Sequence, residues 1–167
     1  MRPAISVIVL NWNGRVHLEE CLSSLRTQTF RGFEVMLVDN GSGDGSVPFV
    51  RECFPEVQTV ALPENRGFAG GNNAGMAVAQ GAFMVLLNTD TLAAPGWLAA
   101  LHRATQDRAE WGMWASRVVL FDQPELLDSA GDELTLSGAP FKRGHLQPAS
   151  HYSHPQDNSV RLNSCPG

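Results

Sequence analysis

The sequence predicts an α/β fold, a mainly parallel open sheet with helices on both faces, and three observations lead to it. Apolar runs rich in β-formers recur at "AISVIVL" (4–10), "FEVMLV" (33–38), "VQTVAL" (57–62) and "FMVLL" (83–87). Three of these runs are continuous rather than alternating, as strands buried on both faces of a parallel sheet read. Helical patterns fill the intervals, and β-α-β alternation implies right-handed crossovers.

Each element has its own signal. Leu18, Cys21, Leu22 and Leu25 recur at i, i+3, i+4 and i+7, one apolar helix stripe after the first strand. Ser46 is expected to cap a short second helix, with Pro48 in its first turn and Val47, Val50 and Phe54 on one face. The small residues of "FAGGNNAGMAVAQ" (68–80) suit a helix packed tightly on a sheet, and "GWLAALHRATQ" (96–106) carries Trp97, Leu98, Leu101 and Ala104 on one side. A further strand is expected over "WGMWASRVVLF" (111–121), with Trp111 and Trp114 in the core. Beyond Phe121, "ELLDSAGDELTLSGAPFKRG" reads as a short extended pair around a turn, and residues 142–167 as loop or disorder. The expected division is residues 1–121 as the main α/β domain and 122–167 as a partial second region with a loop-rich tail.

Composition narrows the function. A length of 167 residues fits one domain or slightly more. A net charge of -5, with only 12 scattered Lys and Arg, offers no basic face for nucleic acid. Cys21, Cys53 and Cys165 form no CxxC pair, which argues against a zinc site or disulfide framework and for a reducing compartment. The apolar run near the N-terminus is too short for a signal peptide and nothing approaches membrane-spanning length. The expected location is cytoplasmic, with peripheral association at the inner face of a membrane left open.

Ligands of open α/β sheets bind outside the carboxyl ends of the strands. Here those ends read Asn11-Trp12-Asn13-Gly14, Asp39-Asn40-Gly41-Ser42-Gly43-Asp44-Gly45, Glu64-Asn65-Arg66-Gly67 and Asn88-Thr89-Asp90. All are polar, which plain turns would not be so uniformly. Taken singly each has a bland reading: Asp39-Asn40-Gly41-Ser42 is ordinary turn chemistry. "GDGS" lacks the other acids of a calcium loop. "GFAGGNN" is neither GxGxxG after the first strand nor a phosphate loop. His145, His151 and His154 are scattered in the tail.

Together these pieces resemble glycosyltransferase family 2, the inverting enzymes of the GT-A nucleotide-sugar fold. The resemblance runs from "ISVIVLNWNG" through "FEVMLVDNGSGDGS" and "PENRGFAGGNNAGMAVAQG" to "FMVLLNTDT", and more weakly into "LDSAGDELTLSGAPFKRG". The subgroup it looks most like is the rhamnosyltransferase-like set that builds cell-surface polysaccharides.

The resemblance implies a UDP-, dTDP- or GDP-sugar donor, a saccharide or lipid-linked acceptor, and Mg²⁺ or Mn²⁺. It implies that Asp39 accepts a hydrogen bond from the base, while main chain at Leu10 and Asn11 lines base and ribose. Asn13 stands where many members carry Glu. Asn65, Arg66, Gly70 and Asn73 resemble the loop and helix start beside ribose and diphosphate. Asn88-Thr89-Asp90 resembles the DXD motif, with Asp90 the metal ligand and Asn88 replacing the first acid. The family's general base resembles nothing here: Glu125, Asp128, Asp132 and Glu133 do not match its motif, so the fold is expected to be C-terminally incomplete. A donor-binding module without turnover is therefore an alternative, and a nucleotidyltransferase a weaker one.

Overall fold

β1 (Ile5–Asn11) is an inner strand of the chain's main sheet and is buried along nearly its whole length. The computed structural model describes residues 2–152 and 160–162, the last three by backbone alone. β2 (Phe33–Asp39), β3 (Gln58–Ala61) and β4 (Phe83–Asn88) join β1 in the order β3-β2-β1-β4, every pair parallel. Ile5, Val7, Ile8 and Val9 of β1 and Met36, Leu37 and Val38 of β2 are buried, as continuous apolar runs predict. β4 departs from that expectation. Among the described residues it has a strand neighbour on one side only, and Met84 and Leu86 are 50% and 45% exposed while Leu87 is buried.

α1 (Arg15–Arg26), α2 (Ser46–Cys53) and α3 (Gly67–Met76) are the crossovers. The first two steps run outward from β1 and the third returns past it, so right-handed connections put α3 on the face opposite α1 and α2. The stripe Leu18, Cys21, Leu22 and Leu25 is buried, as its spacing predicts. α3 lies so close to the sheet that a Cβ added at Gly75 would come 2.6 Å from Ile8 Cγ2, and one at Gly71 would come 2.4 Å from Leu10 Cδ1. This is the physical reason for the small residues there. The helix stops at Met76, four residues short of the expected end.

Ser46 does not cap α2. Gly45 occupies the cap position in a left-handed conformation, and Ser46 is the first helical residue. The Ser46 amide and hydroxyl both donate to Asp44 Oδ1, at 3.1 and 2.6 Å, so Asp44 supplies the acceptor that Ser46 was expected to supply.

The chain divides into two compact units, Met1–Ser23 with Phe30–Asp90, and Ser24–Thr29 with Thr91–Gly167. The second contains β5 (Thr91–Ala93), α4 (Trp97–Asp107), β6 (Val118–Leu120), β7 (Leu127–Ser129), the hairpin of β8 (Asp132–Leu134) and β9 (Pro140–Lys142), a 3₁₀ turn (Ala149–Tyr152) and β10 (Val160–Leu162). Its sheet order is β5-β10-β6-β7. Buried Gln28 holds the start of α4: its Oε1 accepts from the Leu98 amide at 3.0 Å and its Nε2 donates to the Ala94 carbonyl at 2.8 Å.

Three expectations need correction here. Residues 111–117 are not strand, and Trp111 is 54% exposed rather than core, with the Arg108 guanidinium 5.4 Å from its ring centre. The tail is not all loop, since β10 pairs antiparallel with β5 and parallel with β6. Sequence periodicity misses β10 because its three residues are recruited by neighbours distant in sequence. The hairpin of β8 and β9 is the extended pair expected from "ELLDSAGDELTLSGAPFKRG". His154 and Cys165 lie outside the described residues.

Candidate functional site

Parallel strands in register deliver their carboxyl ends to one edge. Asn11 pairs with Asp39, Asp39 with Ala61, and Leu10 with Asn88, so the segments that follow β1 to β4 leave the sheet side by side. The polar groups read from the sequence are therefore gathered in the first unit, on the side where such sheets bind ligands.

The segments after β1 and β2 are laced together. Buried Asn11 donates from Nδ2 to Asp39 Oδ1 at 2.9 Å and to Ser42 Oγ at 3.2 Å, and its Oδ1 accepts the Gly14 amide at 3.2 Å. Asp39 Oδ2 accepts the Ser42 amide at 3.0 Å. Asn13, with φ 51, receives the Gly43 amide on Oδ1 at 3.0 Å and gives its own amide to Ser42 Oγ at 2.9 Å. Arg15 donates its amide to Asp44 Oδ2 at 2.9 Å, while its guanidinium lies 3.2 Å from the centre of the Phe49 ring.

Asp44 feels opposing influences. Burial acts to raise its carboxyl, but the bonds from the Ser46 hydroxyl and the Arg15 and Ser46 amides outweigh it and hold the group below its ordinary value. Asp39 is 3% exposed, with one bond on each oxygen and acceptor positions remaining on both.

The segment after β3 is fastened through Asn40, which no motif singled out by itself. Asn40 Nδ2 donates to Asn65 Oδ1 at 2.8 Å and to the Gly67 carbonyl at 3.2 Å, and Asn40 Oδ1 accepts the Arg66 amide at 2.9 Å. Asn65 and Arg66 are exposed; the Arg66 side chain, at the cap position of α3, makes no capping bond, and Asn65 Oδ1 accepts the amide of Gly67, the first residue of the helix, at 2.8 Å. Gly70 is half-buried; a Cβ there would stand 2.8 Å from the Arg66 Cβ, so its smallness leaves room for the Arg66 stem. Asn73 is exposed, whereas its neighbour Asn72 is buried, donating Nδ2 to the Phe68 carbonyl and leaving Oδ1 without a partner.

After β4, Asn88 is exposed and Asp90 half-buried. Asp90 Oδ1 is shielded from solvent and has no hydrogen-bond partner. A buried polar atom left this way is rare and asks for an explanation, and a cation is one. No three His, Cys, Asp or Glu among the described residues gather in a metal-binding group. The residues present thus fit a hard cation held by one carboxylate and completed by ligand oxygens and water. Leu10 is half-buried beneath Gly71, at the joint between β1 and α3.

The ten residues named from the sequence are Leu10, Asn11, Asn13, Asp39, Asn65, Arg66, Gly70, Asn73, Asn88 and Asp90. All lie in the first unit, in the strand-end segments and in α3, but Asn73, expected at the helix start, is the seventh of the ten residues of α3 because the helix already begins at Gly67. What sequence reasoning missed are the groups that hold those segments: Asn40, Ser42 and Asp44. Their only signal was the run Asp39-Asn40-Gly41-Ser42-Gly43-Asp44, which turn chemistry explains equally well.

Residues 6–131 match the family described as Glycosyl transferase family 2. EpsH of Bacillus subtilis (strain 168) is 30% identical over 111 residues, covering 65% of this chain and 32% of that protein. The glycosyltransferase GlyG of Streptococcus pneumoniae serotype 4 is 29% identical over 111 residues, covering 65% and 37%. The chain thus spans about a third of the length of the curated relatives it matches. Among solved structures, the mannosyltransferase PcManGT of Pyrobaculum calidifontis in complex with GDP-Man and Mn²⁺ is similar at TM-score 0.57 and 29% identity, over 72% of this chain and 36% of that one. S. aureus TarS in complex with UDP-GlcNAc has the same fold, at TM-score 0.59 and 23% identity, over 72% and 34%. The chain belongs to glycosyltransferase family 2.

Proposed function

We propose that this member of glycosyltransferase family 2 holds a nucleotide-diphosphate sugar at the carboxyl ends of β1 to β4, for metal-assisted transfer with inversion to an acceptor hydroxyl. The observation that carries the reading is Asp90 Oδ1, buried and unpartnered on the sheet edge where the other polar segments converge. The GDP-Man and Mn²⁺ in the similar PcManGT support a nucleotide-sugar donor and a divalent ion. Motif resemblance supports UDP- and dTDP-sugars as further donors, and cell-surface polysaccharide synthesis at the cytoplasmic face of a membrane as the setting.

In this reading the chain's own groups divide the work. Asp39 and main chain at Leu10 and Asn11 receive base and ribose; Asn13 keeps the neighbouring segment in place. Arg66 and the first turn of α3 face the diphosphate, where a helix N-terminus favours negative charge. Asp90 would hold Mg²⁺ or Mn²⁺, which supplies neutralisation of the charge that develops on the leaving nucleoside diphosphate.

Inversion also requires a group to take the acceptor's proton. Asp128, the buried acid after Asp90 among the described residues, is engaged by Lys142 Nζ at 2.8 and 2.9 Å. That engagement favours, as a second reading, a donor-binding module that does not turn over by itself.

Calorimetric titration with UDP-, dTDP- and GDP-sugars, with and without Mn²⁺, tests the proposal on the wild type and on Asp90→Ala. Binding that needs the ion and falls about a hundredfold in the variant is expected, the size of losing one charged ligand contact. Binding indifferent to both the ion and the variant overturns the metal assignment, and no binding by the folded chain overturns the donor site.

A further inference from the structure

We infer that Asn40 is a positioning residue for the diphosphate, acting through Arg66 and the start of α3; the inference rests on the donor-site reading above. Asn40 is 2% exposed and cannot itself offer much to a ligand. Its side chain is instead spent wholly on the segment that opens α3. The orientation of the amide follows from its partners. The Arg66 amide can only donate, so the atom 2.9 Å from it is Oδ1, and Nδ2 must be the atom that faces Asn65 Oδ1 and the Gly67 carbonyl.

Three consecutive residues, Asn65, Arg66 and Gly67, are thus held by one side chain anchored at the end of β2. Asn65 Oδ1 closes the arrangement by also accepting the Gly67 amide at 2.8 Å. Gly67 turns through φ +71, a conformation that needs an external hold to stay populated by one geometry alone.

The surrounding packing leaves the clasp no slack. A Cβ at Gly41 would lie 2.7 to 2.9 Å from backbone atoms of Glu64 and Asn65, so the two segments run in backbone contact. On the other side a Cβ at Gly71 would lie 3.3 Å from Asn40 Nδ2. Asn40 is therefore pinned between β2 and α3. Because its own amide also donates to the Asn11 carbonyl at 2.8 Å, the position of Arg66 is referred back to β1 and β2. A cation that must meet a diphosphate gains from such pre-organisation, since less freedom is lost on binding. The base, received at Asp39, does not pass through this clasp.

The test is a split in affinity. UDP, dTDP and GDP are titrated in the presence of Mg²⁺, each beside its nucleoside, into the wild type, Asn40→Ala, Asn40→Asp, Arg66→Ala and the double variant Asn40→Ala/Arg66→Ala. Amide hydrogen exchange at Arg66 and Gly67 is followed without ligand. Asn40→Ala is expected to lose about tenfold in affinity for the diphosphate, the scale of removing a few buried hydrogen bonds, and to keep its affinity for the nucleoside. Its effect should largely vanish on top of Arg66→Ala, because the two act as one unit. Exchange at both amides should accelerate.

Asn40→Asp keeps the shape and turns both donors into acceptors against Asn65 Oδ1 and the Gly67 carbonyl, so it should show the same split in a chain that folds. Equal losses for nucleoside and diphosphate, or additive losses in the double variant, overturn the inference. Unchanged exchange with intact wild-type binding overturns it alone. A folded wild type that binds none of the diphosphates overturns the donor-site reading, and this inference with it.

Discussion

Leaving β2, residues 39–44 place two carboxylates, and each of their four oxygens has a partner. Asp39 is held by Asn11 and the Ser42 amide, and Asp44 by Arg15 and Ser46 amides and the Ser46 hydroxyl. Leaving β4 on the same edge, Asp90 keeps one buried oxygen with no partner at all. The two segments have similar sequences, short and rich in Asn, Asp and small residues, yet opposite energetics. Satisfied groups specify a shape and contribute stability; a shielded carboxylate oxygen without a partner costs stability. The comparison separates polar groups that are spent on one another from one that is left over.

The largest expected effect falls on the unsatisfied side. Asp90→Asn removes the carboxylate without removing any side-chain hydrogen bond given for Asp90 in the structure. It should abolish ion dependence of nucleotide-sugar binding, about a hundredfold in calorimetry, while leaving Tm unchanged or raised. A marked fall in Tm would show that Asp90 is structural and would erase the contrast.

On the satisfied side the order reverses. Asn11→Ala strands Asp39 Oδ1 and the Gly14 amide, and should cost about 2 kcal/mol in denaturant unfolding, with weaker donor binding following only from loss of shape. Gly14→Ala probes the contact between the segments after β1 and β4. The new Cβ would stand 2.7 Å from Asn11 Oδ1 and 2.9 Å from Thr89 Oγ1, and because Asn11 is tied down the cost should be about 1 kcal/mol by the same measurement.

The smallest effect is a pH dependence at exposed Asp44. Its carboxyl sits below the ordinary value, so its contribution is complete above that value and is lost as pH falls through the lowered one. Wild type should therefore melt slightly above Asp44→Asn near pH 7, and the difference should shrink as the pH is taken below the ordinary carboxylate range. A difference that persists in acid would mean that the hydrogen bonds, not the charge, are responsible.

How far the sequence goes is clearest by element. β1, β2 and the stripe of α1 are written in local pattern, because burial on both faces demands an unbroken apolar run and burial of one helix face demands the i, i+3, i+4, i+7 spacing. Their boundaries hold to within a residue or two. β4 carries an apolar run of the same kind, yet Met84 and Leu86 are exposed, since α3 packs on that face over Ile8 of β1 and Val38 of β2, and which strands a helix covers leaves no mark in five residues. β10 and the exposed Trp111 were likewise illegible. In the candidate site, Asn88-Thr89-Asp90 and Asn65-Arg66 were legible as polar residues at strand ends. Asn40 was not, because an Asn after a strand is also what any turn would use.

By itself, then, the sequence determined the parallel α/β order, the family, and which segments meet at the sheet edge, since periodicity and chain order are local properties that right-handed crossovers convert into topology. Only the tertiary structure decided which polar groups are spent on one another and which are left over. Hydrogen-bond satisfaction is a property of pairs: Asp39 finds Asn11 from 28 positions away, and Asp90 Oδ1 finds nothing.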